Sequence, residues 1–265
     1  MRNPALFTLS LLIAGIAYSC SGISVEVEPC RPVAVLHASY AGGYATKSSL
    51  GQRTANNDFA VIGWNEGDEI NLFYTSSGAT LSALYVARDA GLTSDFYPQN
   101  DEESVGESSS YTGLYPYNQD AVLSGFTVST TIPDAQTAVP GSYDPAAFLA
   151  VGKSSSLKMA FYNVCGGLCF TLQNPASYTS IEFEGNASEP VAGAVSISLS
   201  DPSAPEASAA SGSKTKIILT PAEGSSFQAD TEYYITLLPG SFPSGFTVKF
   251  IGAGGNTVQT CTCTA

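Results

Sequence analysis

The sequence predicts an all-β fold, and three observations support that prediction. Short runs of apolar or alternating residues, rich in Val, Ile, Thr, Tyr and Phe, recur along the 265-residue chain. Gly, Pro, Asn and Asp separate nearly all of these runs, as they do at turns between strands. No window of about a dozen residues or more shows the period of an amphipathic helix. Together these features are typical of β-sandwiches with short connections.

The first half of the chain holds five predicted strands. Each is a β-branched or aromatic run bounded by turn residues. The segment Thr93–Ser110 is polar, acidic and rich in Ser, and we expect it to be mostly loop. The predicted strands are Val33–Tyr40, Ala60–Gly63, Ile70–Thr75, Leu81–Arg88 and Tyr111–Tyr117.

The second half holds eight further runs, too many strands in total for one small sandwich. We therefore predict two domains, residues 20–153 and 154–265, with the linker at Gly152–Ser156. Asp201–Ser213 has low complexity and few apolar residues, and we expect a long exposed loop there. The predicted strands are Phe148–Val151, Leu157–Val164, Gly167–Leu172, Thr179–Glu184, Val191–Ser200, Lys216–Thr220, Thr231–Leu237 and Phe246–Ile251.

The composition narrows the classes of partner. The formal net charge is −13 and the isoelectric point is near 4.2. An acidic chain is repelled by phosphate backbones, which argues against nucleic acid as a partner. It is also repelled by anionic membrane surfaces, so attachment to a membrane would need a lipid or a spanning segment.

The N-terminus reads MRNPALFTLSLLIAGIAYSCSG and predicts an export signal. Arg2 provides a positive start, and Ala5–Tyr18 is an apolar stretch too short for a comfortable transmembrane helix. A small residue three places before Cys20 and a Ser just before it resemble a bacterial lipobox. We predict a signal peptide over residues 1–19, with lipid attached to Cys20. The alternative is an ordinary signal peptide with a Cys nearby.

The stretch AVIGWNEGDEINLFY, residues 60–74, carries three acidic residues between two apolar runs. Gly67 suits a positive φ, and Asp68 can bond to nearby backbone, which is the chemistry of a turn. A metal site would need more ligands, and the sequence has no spaced calcium loop. We therefore interpret the segment as a turn after Trp64.

No other motif predicts catalysis or a cofactor. His37 is the single His, and it lies in an apolar run where a structural role is the common outcome. The pairs Cys165/Cys169 and Cys261/Cys263 lack the usual zinc spacing, so we expect buried thiols or one disulfide rather than a metal. With Cys20 lipidated, five Cys remain, including Cys30, and their pairing stays open.

Several stretches together resemble the fimbrillin-like family, the pilin and adhesin lipoproteins of Bacteroidales type V fimbriae. They are similar to the family's TK-[ST] and W-x-x-G-D-x-I signatures, its YPY strand end and its F-x-N-x-C-G-x-L-x-F strand. They occur in the family's order at Thr46–Leu50, Trp64–Phe73, Leu114–Tyr117, Thr131–Pro133 with Gln136, Met159–Phe170, Tyr233–Gly240 and Gly245–Phe250.

The resemblance implies two tandem transthyretin-like β-sandwich domains, with Trp64, Gly67 and Asp68 in a family hairpin. It implies an outer-membrane lipoprotein, and in polymerising members a protease cut after an Arg that opens a groove for a neighbour's strand. Arg53 is the candidate cut here, because Pro32 would hinder cleavage after Arg31. Relatives usually continue for a strand or two beyond the match. Two alternatives follow: the subunit lacks a C-terminal donor strand, as a tip or accessory protein would, or the sequence is incomplete.

The leading hypothesis is a non-catalytic cell-surface lipoprotein, acting as a fimbrial subunit or an accessory or tip adhesin. Its partners would be other fimbrial subunits joined by strand addition, with the membrane reached through lipid on Cys20. The alternative is a standalone outer-membrane lipoprotein that binds a glycan or a host protein. An enzyme is disfavoured because the chain is poor in His and Lys bases.

Overall fold

The fold is described from a computed structural model that covers residues 33–41, 49–53, 60–100, 105, 108–175 and 178–264, with backbone alone at 49–53 and 60–62. The predicted signal peptide, Cys20 and Cys30 lie outside these residues. Within them, only short 3-10 turns interrupt a chain of strands, and no helix is long and apolar enough to cross a membrane. The predicted all-β class is confirmed.

The strands follow one another closely along the described chain. Numbered in order, they are β1 (Leu36–Tyr40), β2 (Ser49–Arg53), β3 (Ala60–Gly63), β4 (Glu69–Ser76), β5 (Ala79–Ala87), β6 (Thr93–Pro98), β7 (Tyr111–Tyr115), β8 (Val122–Ser124), β9 (Thr127–Ile132), β10 (Ala135–Ala138), β11 (Ala150–Ser154), β12 (Lys158–Asn163), β13 (Gly166–Leu172), β14 (Tyr178–Gly185), β15 (Ala192–Ser198), β16 (Glu206–Lys214), β17 (Lys216–Pro221), β18 (Thr231–Leu237), β19 (Phe246–Gly252) and β20 (Thr257–Cys263).

Seven of these strands close into a barrel in the order β1-β12-β11-β7-β4-β5-β6. β1 completes the closure, because it pairs in parallel with β12 and antiparallel with β6. Alternating residues are buried in some of the barrel strands, as in β6, where Ser94, Phe96 and Pro98 are buried and their neighbours are not, whereas β7 is buried at every residue. That alternation places one apolar face of each such strand in a common core.

The remaining strands form smaller sheets, and those other than the β2-β3 pair contribute residues to a second core. A five-stranded sheet has the order β10-β17-β14-β19-β20, a four-stranded sheet the order β16-β15-β9-β8, and two pairs are β13-β18 and β2-β3. The buried cluster between them draws Ile181 and Phe183 from β14, Val195 and Ile197 from β15, and Ile235 from β18. This part of the chain fits a β-sandwich, in which inner faces of sheets share one core.

One buried side chain joins β10 to β18. Gln136 is 3% exposed. Its Nε2 donates to the Thr236 carbonyl at 2.6 Å, and its Oε1 accepts from the Thr236 amide at 3.0 Å. The side-chain amide therefore satisfies both backbone groups of a β18 residue, which would otherwise be costly to bury.

Three sequence predictions were wrong in position or type. Thr93–Ser110 is not mostly loop at its start, because β6 occupies Thr93–Pro98. Asp201–Ser213 is exposed as predicted, but β16 begins inside it at Glu206. The strands β2, β8, β9, β10 and β20 lie where no strand is predicted.

The predicted linker at Gly152–Ser156 is also different in the structure. Its first three residues belong to β11, where Lys153 pairs with Thr112. Strands on both sides of the predicted 153/154 boundary share sheets: β12 completes the barrel, while β9 and β10 pair with β15 and β17. Two tandem transthyretin-like domains and their boundary therefore stay a prediction.

Candidate functional site

The acidic turn at residues 65–68 is held together by its own side chain. Asp68 Oδ2 accepts a hydrogen bond from the Asn65 amide at 2.7 Å, and the Asp68 amide donates to the Asn65 carbonyl at 3.2 Å. Gly67 has a φ of 85°, a region that suits glycine. The Gly67 amide also donates to the Ala87 carbonyl at 2.9 Å. The Asp68 carboxylate thus has a structural task, as the sequence predicted for a turn.

The turn connects two sheets rather than two paired strands, which differs from the predicted family hairpin. β3 pairs with β2, whereas β4 pairs with β5 and β7. Glu66 and Glu69 point to solvent. Among the described residues, no group of three or more His, Cys, Asp and Glu side chains is placed to hold a metal ion.

Trp64, beside the turn, belongs to the barrel core. It is 1% exposed, and its ring lies 4.4 Å from Tyr40, 4.9 Å from Phe96 and 5.2 Å from Phe161 between centroids. Burial raises the pKa of Tyr40 well above its usual value, and nearby Tyr115 adds to the shift. The cluster is therefore neutral and packs as a core, with the Asp68 turn at its margin.

His37 lies on the outer surface and not in the core that its apolar neighbours suggested. Its Nδ1 lies 2.5 Å from Asp95 Oδ1, and the two side chains are 54% and 42% exposed. The pair joins β1 to β6, which are in register at these residues. A single exposed contact of this kind contributes little to stability, about 0–1 kcal/mol even for a fully charged pair.

The predicted processing and lipid sites are only partly within the described residues. Arg53 is the last residue of β2 and pairs with Ala60 of β3. Cys20 lies outside them. Cleavage after Arg53 and lipid on Cys20 therefore stay predictions.

The four later Cys occupy different environments. Burial raises the pKa of Cys165 to about 12, and its Sγ accepts a hydrogen bond from the Leu149 amide at 3.3 Å. Cys169, Cys261 and Cys263 are exposed. The expectation of buried thiols fits Cys165 alone and is wrong for Cys169, Cys261 and Cys263, while Cys261 and Cys263, two residues apart in one strand, share one face of it.

The strand that carries Cys261 and Cys263, β20, is an exposed edge strand of the five-stranded sheet. All seven of its residues are exposed, and it pairs with β19 alone, at the end of the five-stranded sheet. No other described strand pairs with its outer edge. The last strand predicted from the sequence is Phe246–Ile251, so β20 lies beyond the prediction, although the Thr- and Val-rich run TVQTCTC is a strand signal.

The direction of the β20 backbone groups follows from its neighbours. The Cys263 carbonyl accepts a hydrogen bond from Asn186 Nδ2 at 3.3 Å, and a Cβ at Gly245 would collide with that carbonyl. Cys263 therefore presents its backbone groups to β19. Because these groups alternate along an antiparallel strand, Thr260 and Thr262 present theirs to the open edge.

β20 also lacks the devices that protect other edges. It carries no charge and no Pro. By contrast, β16 has Glu206 and Lys214 at its ends and a bulge against β15, while β8 and β10 are only three and four residues long. Charges, bulges and short length are how proteins prevent edges from pairing. β20 is therefore the candidate interaction site.

The chain matches no protein-family model and no curated protein. One solved structure that resembles it is a protein from Bacteroides ovatus named "putative cell adhesion protein". The two are 13% identical, the match covers 88% of this chain and 87% of that one, and the TM-score is 0.48. A likeness at that level assigns neither a family nor a function.

Proposed function

We propose that this protein is a non-catalytic, exported surface lipoprotein that joins other subunits of a fimbrial or adhesive assembly by β-strand addition. The observation that supports it is the open edge of β20, with the backbone groups of Thr260 and Thr262 directed outward. In strand addition, ladder hydrogen bonds provide the affinity, so an exposed uncharged edge is the feature it requires.

Two further features agree with this proposal. The N-terminal signal and Cys20 would export the chain and anchor it by lipid. The polar, Thr- and Ser-rich surface with few charges suits a secreted protein. The family resemblance adds a step, cleavage after Arg53, that would remove an N-terminal strand and open a groove for a strand of a neighbouring subunit.

A proline at Thr262 tests the role of the edge. Thr262→Pro removes an N–H that faces the open edge and leaves those that face β19 in place, since proline is tolerated on edge strands with its nitrogen toward solvent. We expect the variant to fold and to lose its co-purifying subunits when isolated from the surface of the producing cells. Thr262→Val keeps the N–H and the branched side chain, and is the matched control. Equal recovery of partners with both variants would contradict the proposal.

Mass spectrometry of the same surface preparation tests export and processing. We expect diacylglycerol on Cys20, and, where the subunit polymerises, a new N-terminus after Arg53. A mature chain that starts elsewhere with an unmodified Cys20 would refute the lipoprotein part of the proposal. A monomer without partner chains that retains a glycan or a host protein would favour the standalone binding protein.

A further inference from the structure

Two thiols lie side by side on the open edge strand. Cys261 and Cys263 of β20 stand directly opposite Val248 and Phe246 of β19, so all four side chains lie on the same face of the sheet. Val248 is buried and Phe246 packs against the core, whereas both Cys are exposed. The sheet face that covers the core at β19 therefore extends to β20, where it carries two exposed thiols.

These two thiols cannot form a disulfide with each other. Residues two apart on a strand are separated by about 6.6–6.8 Å, with parallel Cβ directions. A disulfide needs Cβ atoms about 3.5–4.5 Å apart. Any disulfide of Cys261 or Cys263 therefore needs a partner from elsewhere.

A second β20 meets that need when it pairs antiparallel about a two-fold axis at Thr262. Thr262 then faces Thr262 of the second copy as a hydrogen-bonded pair, because its backbone groups point outward. Cys261 faces Cys263 of the second copy, and Cys263 faces Cys261, both as non-hydrogen-bonded pairs. The Cα atoms of such pairs lie about 4.5 Å apart, within the disulfide range of about 4.4–6.8 Å.

Charge does not oppose this contact. The whole chain has a formal charge of −13, which would separate two copies across most surfaces. From Ala253 to Thr264, however, no side chain is charged. Two β20 edges can therefore approach without like charges facing each other.

We propose that the partner of β20 is a second copy of this chain, joined at the Thr262 register and locked by two reciprocal Cys261–Cys263 disulfides. The inference rests on the proposed function, since it assigns a partner to the same edge. The oxidant is a small-molecule disulfide: one Cys thiolate attacks it and releases one thiol, and the opposing Cys thiolate then displaces the second. Each bond thus forms from two Cys thiols and one disulfide, with two small thiols released.

Single Cys variants of the full chain test the register by complementation. In oxidised glutathione, wild type should give a covalent dimer on a non-reducing gel. On the same gel, Cys261→Ser by itself and Cys263→Ser by itself should each run as a monomer, because the remaining thiol of one copy faces a Ser of the other. Mixed in equal amounts, they should form a dimer with one disulfide. Cys169→Ser is the control and should dimerise like wild type.

The outcomes separate the alternatives. A covalent dimer of either single variant alone would indicate another register or random collision, and would overturn the inference. A disulfide from Cys261 or Cys263 to another Cys of the same chain would do so as well. If wild type associates in reducing buffer, is dispersed by Thr262→Pro and yet forms no covalent dimer, the disulfide inference fails while strand addition at β20 stands. If wild type does not associate with itself at all, the second copy is not the partner and the inference fails, whereas the proposed function fails only if Thr262→Pro and Thr262→Val also recover the same partner subunits from the cell surface.

Discussion

At the residue scale, Trp64 shows how a motif next to an acidic turn serves packing. Its ring contacts Tyr40, Phe96, Tyr115 and Phe161 in stacked or edge-to-face arrangements. Such contacts add about 0.5–1.5 kcal/mol per pair to the burial of apolar area. Trp64 therefore contributes to the stability of the core, and the candidate interaction site lies elsewhere, at β20.

Replacement of Trp64 should measure its contribution to the free energy of unfolding. We expect Trp64→Ala to lower the free energy of unfolding by about 3–5 kcal/mol, because it leaves a large cavity. Trp64→Phe keeps an aromatic ring and should cost clearly less. Denaturant unfolding followed by far-ultraviolet circular dichroism gives both values. Equal loss in the two variants would show that ring packing is not what Trp64 contributes.

The thiols should differ in reactivity. Burial raises the pKa of Cys165 to about 12, whereas Cys261 and Cys263 are exposed. Because the thiolate is the nucleophile, we expect iodoacetamide at pH 8 to modify Cys261 and Cys263 of the folded, reduced protein and to leave Cys165 intact. Peptide mass spectrometry reads the sites, and denatured protein is the control. Rapid labelling of Cys165 in the folded protein would disagree with its position.

At the element scale, a ladder of charges crosses the five-stranded sheet. Lys216 Nζ lies 2.8 Å from Glu182 Oε2, and Lys249 pairs with Glu184. The two Glu belong to β14, which lies between the strands of the two Lys. The hydrogen bond from Lys249 lowers the pKa of Glu184, and the bond to Glu182 raises the pKa of Lys216.

The Glu184 pair should make stability depend on pH. Because the folded-state pKa of Glu184 is below that of the unfolded chain, its contribution is complete above the unfolded-chain pKa. It is lost as the pH falls through the folded-state pKa. We expect Glu184→Gln to cost about 0.5–1 kcal/mol at pH 7 and almost nothing at pH 2. Thermal unfolding at both pH values measures this. A cost that is the same at pH 2 would point to packing.

The sequence predicted some elements well and others poorly, for physical reasons. Strands such as β14 and β15 have one buried face, and their alternating apolar residues reveal them. β16 and β20 are exposed along most or all of their length, so no apolar alternation marks them. They are strands because their backbone pairs with a neighbouring strand, and the alternation of apolar and polar residues in the sequence gives no sign of that pairing.

The same reason explains what was missed at the candidate site. The turn chemistry of Gly67 and Asp68 is local, and it was predictable from a few neighbouring residues. The open edge of β20 depends on which strands lie beside β19 far along the chain. The shared face of Cys261 and Cys263 was predictable from their spacing, but their exposure was not.

At the scale of the whole molecule, pairing between distant strands joins the two predicted halves. β1 pairs with β12, and β9 pairs with β15. We expect residues 33–153 and 154–264, expressed separately, to lack cooperative unfolding, because each loses strands from a sheet. Co-expression should restore a soluble complex. Two halves that each unfold cooperatively would instead support the predicted boundary.

Residue-resolved hydrogen exchange is the sharpest test of whether the outer edge of β20 is the binding surface. In dilute monomer, the amides of Thr260 and Thr262 should exchange rapidly, while those of Cys261 and Cys263, bonded to β19, should be protected. On assembly, Thr260 and Thr262 should become protected too. Assembly that leaves both amides in rapid exchange, and protects another surface instead, would contradict the account.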